Sequence, residues 1–413
     1  MSSSEPKSAQ ALIAGGGIAG LEALMALRDL AGDRVRITLV APDPDFVYKP
    51  LIVEEPFSSQ PADQRALAPV AEEFEAEFVQ QGIVGVDPAG HSVELSDGSK
   101  RPYDKLMVCV GARPREAFPG VVTLRTDGQP LAIDELLREA AAGDSKRIAF
   151  LIPPGRSWPL PVYELALMAQ RRARELELRD VQCCIVTPEE SPLIAFGRAA
   201  SDSVASLLEA RGILVHCAAR AKELSDRGLV LSPGDSLLEA ERVVSLPVLE
   251  GPRLAGLPAD EDGFILIDGH AHVRGVEDVY AAGDGTNFPI KHGGLGTQQA
   301  DAAAEHIAAD LGADVEPKPF RPIVRGKLIT GDESLYMQQD AGGGGGEVEA
   351  SPDSLWWPPQ KVSGRYLAPW LGHETPRLDQ EPPAHSIDVE VSLPHEWHEE
   401  PMALDPHRTP EVD

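Results

Sequence analysis

The stretch "ALIAGGGIAGLEALMALRDLAG" constrains this chain more than any other. A short apolar run is broken by Gly15, Gly17 and Gly20 in a GxGxxG spacing. A helix-compatible run follows, in which Ile18, Leu21, Leu24, Leu27 and Leu30 recur every three residues. Gly32 suits the stop of that helix, and "VRITLVAP" after it is a buried-type strand rich in β-branched residues. Strand, glycine turn, helix and strand, running from about Gln10 to Leu51, form a βαβ unit of dinucleotide-binding type. The first glycine lets the chain turn, the second lets backbone approach a pyrophosphate, and the third lets helix and strand pack closely. The helix start at Ile18 and Ala19 adds partial positive charge. At the end of the next strand, where an acidic residue usually reads a ribose, stands Ala41. Asp43 either substitutes for it or is a solvated turn residue.

The pattern occurs twice. "RIAFLIPP…YELALMAQRRARELELRDVQCCIVTP", residues 147–188, again reads strand, helix, strand, and a further helix (Ala200–Arg211) and strand (Ile213–Cys217) follow. The expected fold class is therefore α/β, with two interleaved Rossmann-like dinucleotide-binding domains and a small C-terminal domain. Residues 1–115 and 246–315 form the first domain, 116–245 the inserted second one, and 316–373 the C-terminal domain. "AGGGGGEVEA" (341–350) reads as a linker or loop tip, and 374–413 as a disordered acidic tail.

The net charge of −29 argues against a nucleic-acid partner, which needs a basic footprint, and against charge-driven binding to anionic lipid. No apolar run is long enough to span a bilayer, and the start "MSSSEPKSAQALIAGGG" lacks the pattern of a secretory signal. Four cysteines in 413 residues suggest no disulfide scaffold. A cytoplasmic protein is expected, at most peripheral to the inner face of the membrane.

Two later stretches narrow the reading. "YDKLMVCVGARP" is an apolar strand ending in a turn at Gly111, and "VEDVYAAGDGTNFP" is a strand ending in Gly283-Asp284. With the first fingerprint, and in this order, they resemble the three FAD motifs of the pyridine-nucleotide-disulfide reductase-like flavoproteins. The resemblance covers roughly residues 10–315. It implies FAD as cofactor and gives Asp284 the role of bonding the ribityl or phosphate part. "FVYKPLIVEEPF" (46–57) is similar to the loop that sulfide:quinone oxidoreductases and type II NADH dehydrogenases place beside the isoalloxazine, which implies Tyr48, Lys49 and Pro50 along the ring. "FPIKHGGLGTQQADAAAEHIAADL" resembles the helix that points its N-terminus at the flavin in that group. A helix start at Gly293, with Lys291 or His292 beside it, would stabilise the negative charge of reduced flavin. The competing reading of Lys291 and His292 is a solvated helix-entry pair.

The second half departs from that group. "IPPGRSWPLPVYELALM" (152–168) stands where the type II dehydrogenases carry a second glycine fingerprint for NADH. Pro153, Pro154, Pro159 and Pro161 remove four N–H groups from the segment that should cradle a pyrophosphate, and Trp158 adds bulk there. A usual NADH site is not expected. The Pro-rich sequence with Tyr163-Glu164 resembles sulfide:quinone oxidoreductase, but Trp158 occupies the position of its catalytic cysteine, and no cysteine follows Cys217. Cys109, Cys183, Cys184 and Cys217 read as core residues. Trp158 either faces the flavin or is an ordinary core tryptophan. Gln298 and Gln299 are either quinone-pocket residues or polar helix positions. "WWPPQKVSGRYLAPWLG" reads as core packing or a lid in preference to a membrane anchor, and the tail histidines His385, His395, His398 and His407 as solvated rather than metal-binding.

The expected activity is FAD-dependent two-electron transfer from a small-molecule donor to a quinone or protein acceptor, with Lys291, His292, Trp158 and Tyr48 at the reacting centre and no metal. Two alternatives are an NAD(P)H-dependent reductase with a nonstandard nicotinamide site and a non-catalytic flavin-binding regulatory protein. A homodimer is compatible with the sequence, which does not fix the oligomeric state.

Overall fold

The computed structural model describes residues 8–58, 63–124, 131–320, 322–332, 334–338 and 349–372. The 374–413 tail with its four histidines, and 341–348 of the glycine-rich stretch, lie outside the described residues.

Two five-stranded parallel sheets organise the chain. In the first, Ala9–Ala14 lies at the centre, with Val35–Ala41 and then Ala76–Gln80 on one side, and Lys105–Val108 and then Val279–Ala281 on the other. In the second, Arg147–Leu151 is central, flanked by Gln182–Val186 and Leu214–His216 on one side and by Arg242–Ser245 and Val122–Thr123 on the other. Each sheet carries an antiparallel three-stranded meander: Ile83–Asp87, Ser92–Leu95 and Lys100–Pro102 for the first, and Arg220–Ser225, Gly228–Ser232 and Ser236–Glu239 for the second. Val35–Ala41 is buried along nearly its whole length, as a parallel strand covered on both faces requires.

The helix Ile18–Ala31 departs from the expected single apolar stripe. Leu21, Leu24 and Leu27 are fully buried, but so are Glu22, Ala23, Met25 and Ala26. The reason is that the helix is covered twice. One side packs on the first sheet, and the other meets the helix Gly293–Asp310 and the C-terminal segment around Tyr366 and Leu367. Gly32 ends the helix with φ 53°, as its position suggested.

A second core is built on Phe150, Leu165, Tyr163 and Phe196 and draws in Ile52, Val53, Phe288 and Leu295 from the first half. The C-terminal strands Arg325–Ile329, Ser334–Gln338 and Glu349–Ser351 add Val324, Leu328 and Met337 to the same core. That shared packing brings the two halves together over the residues described next. No helix among the described residues is long and apolar enough to cross a membrane.

Candidate functional site

The fingerprint turn is held by close backbone contact. The Gly15 N–H donates to Val40 O at 2.7 Å, and Gly15 has φ +118° with Cys109 O directly beneath its Cα. A Cβ at Gly20 would meet Gly15 O at 1.8 Å, so helix and turn touch there. Gly17 differs, because a Cβ there would meet nothing within 4 Å. It caps the helix start, whose first turn holds no acidic side chain, and faces open space. This is the arrangement an incoming phosphate needs.

Two cavities open on either side of Gly17. One, of about 790 Å³, is lined by Gly15, Gly16, Ala41, Asp43 and Gln64. The other, of about 330 Å³, is lined by Ile18, Ala19, Lys49, Pro50, Trp158 and Lys291, among others. They meet at Gly17, Val47, Lys49, Ile52, Cys109 and Gly111. The result is one elongated cleft, polar at the Asp43 end and mostly apolar at the Trp158 end. A dinucleotide with a flat ring at one end fits it. Asp43, two residues past Ala41, is exposed and lines this end of the cleft together with Asp45.

Asp284, Gly283 and Gly293 line the inner cavity. Burial pushes the Asp284 carboxyl up, while Lys291 and Lys49 pull it back down. The turn that presents it is pinned from the helix: Gly283 N–H donates to Gln299 Oε1 at 2.8 Å, and the Thr286 hydroxyl donates to Gly283 O at 2.9 Å. Gln299 is therefore a structural clamp, and Gln298 is another, exchanging hydrogen bonds with both the N–H and the C=O of Ile323. Neither glutamine lines the cavity.

Lys291 and His292 are not solvated. Lys291 is 3% exposed, its Nζ donates to Thr286 O and lies 3.8 Å above the Phe264 ring. Burial pulls its ammonium down to about 7, against an opposing pull from Asp284. His292 caps the Gly293–Asp310 helix, its ring centroid 4.7 Å from that of Trp158, and burial pulls it down to about 4. Trp158 itself is half-buried between His292 and Phe196, with one side on the cavity. It packs against the second core and lines the cavity.

Tyr48 does not line either cavity. It is buried, and its hydroxyl accepts the N–H of Val362 at 2.8 Å, so it anchors the C-terminal segment behind Lys49 and Pro50. That segment supplies wall residues which the motifs do not reveal, Lys361 and Val362. Lys361 Nζ donates to Glu164 Oε2 at 2.6 Å and to Pro50 O at 2.8 Å, and Glu164 Oε1 accepts the N–H of Ile329. Burial pushes the Glu164 carboxyl up, and the Lys361 ammonium opposes this. A single lysine inside the apolar "WWPPQKV" run was the available signal.

The proline-rich segment 152–159 is tied to residues elsewhere in the chain. Gly155 turns the chain at φ +121°, Arg156 pairs with Asp260 at 2.7 Å, and the Ser157 hydroxyl donates to Pro247 O. Glu189, just past the strand Gln182–Val186, accepts the hydroxyls of Tyr163 (2.7 Å) and Thr187 (2.9 Å). Its carboxylate is committed inside the fold.

Cys109, Cys183 and Cys184 sit in the core, whereas Cys217, expected there too, lies just past the edge strand Leu214–His216 and is only half-buried. Burial pushes the thiols of Cys109 and Cys184 up to about 12, raises Cys183 further, and also raises Cys217, which is only half-buried. Thiol reactivity follows the thiolate. Maleimide titration of the native protein should therefore label Cys217 alone, the other three reacting only after denaturation. Alkylated Cys217 should leave the rate of flavin reduction unchanged. Among the described residues no group of three or more His, Cys, Asp or Glu could hold a metal ion.

Comparison with known proteins agrees with this geometry. The family model for pyridine nucleotide-disulphide oxidoreductases matches residues 9–150 and 163–306, and the interval it passes over is the proline-rich segment. Sulfide-quinone reductase of Aquifex aeolicus is 27% identical over 176 residues, 41% of this chain and 40% of that protein. Murine apoptosis-inducing factor 3 is 25% identical over 342 residues, 77% of this chain and 54% of that one. The chain thus spans about half the length of these relatives or less. Among solved structures, the sulfide:quinone oxidoreductase of Aquifex aeolicus superposes with a TM-score of 0.74 at 20% identity, covering 83% of this chain and 87% of that one. With its fingerprint, Asp284 turn and elongated cleft, the chain belongs to the pyridine nucleotide-disulphide oxidoreductase family.

Proposed function

We propose that the protein passes an electron pair from a small-molecule donor to a quinone or protein acceptor, without a redox cysteine and without NAD(P)H in the usual pose. The observation that carries this reading is the mostly apolar cavity of about 330 Å³ lined by Gly17, Pro50, Trp158, Lys291 and Lys361. FAD bound in the cleft supplies the two-electron chemistry. The chain's residues set the terms on which it does so.

Lys291, held over Phe264 beside the start of the Gly293–Asp310 helix, would supply positive charge to a flavin ring seated in the cavity. Trp158, Leu160, Leu246 and Pro247 exclude water from the donor side. The Lys361–Glu164 pair brings a transferable proton to the cavity wall through Lys361, which suits an acceptor that gains both electrons and protons. In this reading residues 1–115 with 246–315 carry the flavin, 116–245 close over the donor side, and 316–373 furnish the wall that carries Lys361.

Anaerobic mixing tests the reading. NADH and NADPH should leave the flavin band unbleached over seconds, and protein reduced with dithionite should be reoxidised rapidly by a short-chain soluble quinone. Bleaching by NADH or NADPH within seconds would make this a nicotinamide-dependent reductase. Bleaching by sulfide would mean that sulfide oxidation proceeds here without the cysteine pair. A reduced protein that no quinone reoxidises would point to a protein acceptor.

A further inference from the structure

Outside the cavity, a fully buried Glu22 faces Asp301, whose Oδ1 is buried. Glu22, on the fingerprint helix, is fully buried; its Oε1 accepts the N–H of Tyr366 and its Oε2 the N–H of Leu367, each at 2.8 Å. The backbone lies directly on this carboxyl, since a Cβ at Gly364 would come within 2.4 Å of Oε2. Asp301, on the facing helix Gly293–Asp310, sits beside Glu22, and its Oδ1 is buried with no donor to satisfy it unless the two carboxyls share a proton. Two neighbouring carboxyls taken out of water disfavour a second charge, so the pair retains a proton.

The other charged groups around the pair are accounted for. Arg365 on the C-terminal segment pairs with Glu305 at 3.2 Å on the Gly293–Asp310 helix, and the Tyr366 hydroxyl donates to Asp29 at 3.0 Å on the fingerprint helix. Arg365 attracts the Asp301 charge and Glu305 repels it. The segment these contacts hold begins directly after Lys361 and Val362, the two wall residues of the cavity.

We propose that Asp301 is a positioning residue: a proton shared between Asp301 and Glu22 latches residues 363–371 onto the fingerprint helix and thereby fixes Lys361 and Val362 at the flavin cavity. The inference rests on the proposed function only for the role of Lys361. The latch itself needs no turnover. Both carboxyls are raised above their ordinary values, chiefly by burial. A raised carboxyl binds its proton more tightly folded than unfolded, so the latch is firmest at low pH and weakens as pH climbs from the ordinary carboxylate range through the raised value.

Hydrogen exchange of the peptide covering 363–371, measured on the FAD-loaded full chain and corrected for intrinsic exchange, tests this from about pH 5 to about pH 9. The wild type should lose protection by about tenfold or more toward the alkaline end. Asp301→Asn, neutral at every pH and still able to donate to Glu22, should hold protection flat. Glu22→Gln should show low protection throughout, because one backbone N–H would then face an amide donor. The reoxidation rate should follow the same pH course in the wild type and flatten in Asp301→Asn. Wild-type protection that is flat across the range overturns the latch, as does an Asp301→Asn protein that tracks the wild type; the wild-type series stands even if a variant fails to fold.

Discussion

Gly20→Ala should fail to fold into a flavin-retaining protein, while Gly17→Ala should fold normally and still come off the column without FAD. The two glycines are three residues apart, yet the structure gives them opposite tasks. A methyl at Gly20 would lie 1.8 Å from Gly15 O, which is backbone and cannot step aside without tearing the turn from Val40 and Cys109. Overpacking of that kind costs about 3 kcal/mol or more, a large part of the stability of a typical domain. Gly17 has an ordinary φ of −86° and open space around it, so alanine there should change stability by about 1 kcal/mol at most. What it fills is the approach path of the pyrophosphate to the helix start. Flavin affinity should fall about a hundredfold or more, equivalent to ~3 kcal/mol. Thermal melting of the two apoproteins and flavin content after gel filtration separate the cases. A Gly17→Ala protein that keeps its FAD would show that the cofactor does not seat at this turn.

This contrast also marks how far the sequence could be read. The glycine spacing named both residues because one local segment, strand to turn to helix, defines both tasks. Gly283-Asp284 and Gly111 were legible for the same reason, each ending a strand whose apolar run announces it. Residues brought in from a distance were not. The loop resemblance of "FVYKPLIVEEPF" implies Tyr48, Lys49 and Pro50 together at the ring; Lys49 and Pro50 line the cavity, but the Tyr48 hydroxyl meets Val362, more than three hundred residues along the chain. Lys361 could not be assigned from its own surroundings, which are loop, and its role depends on Glu164 and Pro50. Gln299 had the converse fate: on a helix beside the site it resembled a pocket residue, whereas its amide is spent on Gly283. Helix register gives a face, but only the packed neighbour decides whether that face meets ligand or backbone. The proline-rich segment shows the limit from another side. Missing N–H groups say what a loop cannot bind, and the ion pair of Arg156 with Asp260 then shows how the loop is held in that state.

Replacing Lys291 with methionine should lower the midpoint potential of the bound flavin by about 50 mV, roughly 2 kcal/mol for a two-electron couple. Flavin reduction should slow by about 10²-fold, the range seen when a preorganised donor is removed from a water-excluded site. Methionine keeps the stem of the side chain over Phe264, so the change removes charge with little loss of packing. The pH dependence supplies the sharper check. Burial holds the Lys291 ammonium at about 7, below its ordinary value near 10.5. The unfolded chain therefore binds this proton more tightly than the folded apoprotein. Stability from this group must rise with pH from about 7 toward 10.5, and charged Lys291 costs stability below that window. Negative charge on a reduced ring has the reverse effect, favouring the ammonium. The same lysine thus opposes folding of the empty protein at acid pH and assists reduction of the loaded one. Lys291→Met should abolish both dependences together: the apoprotein melting curve should lose its rise above neutral pH, and the midpoint potential should lose the part of its pH slope that follows a lysine. If only the melting behaviour changes, the charge acts on the fold alone and another group, His292 or the helix start at Gly293, must stabilise the reduced ring.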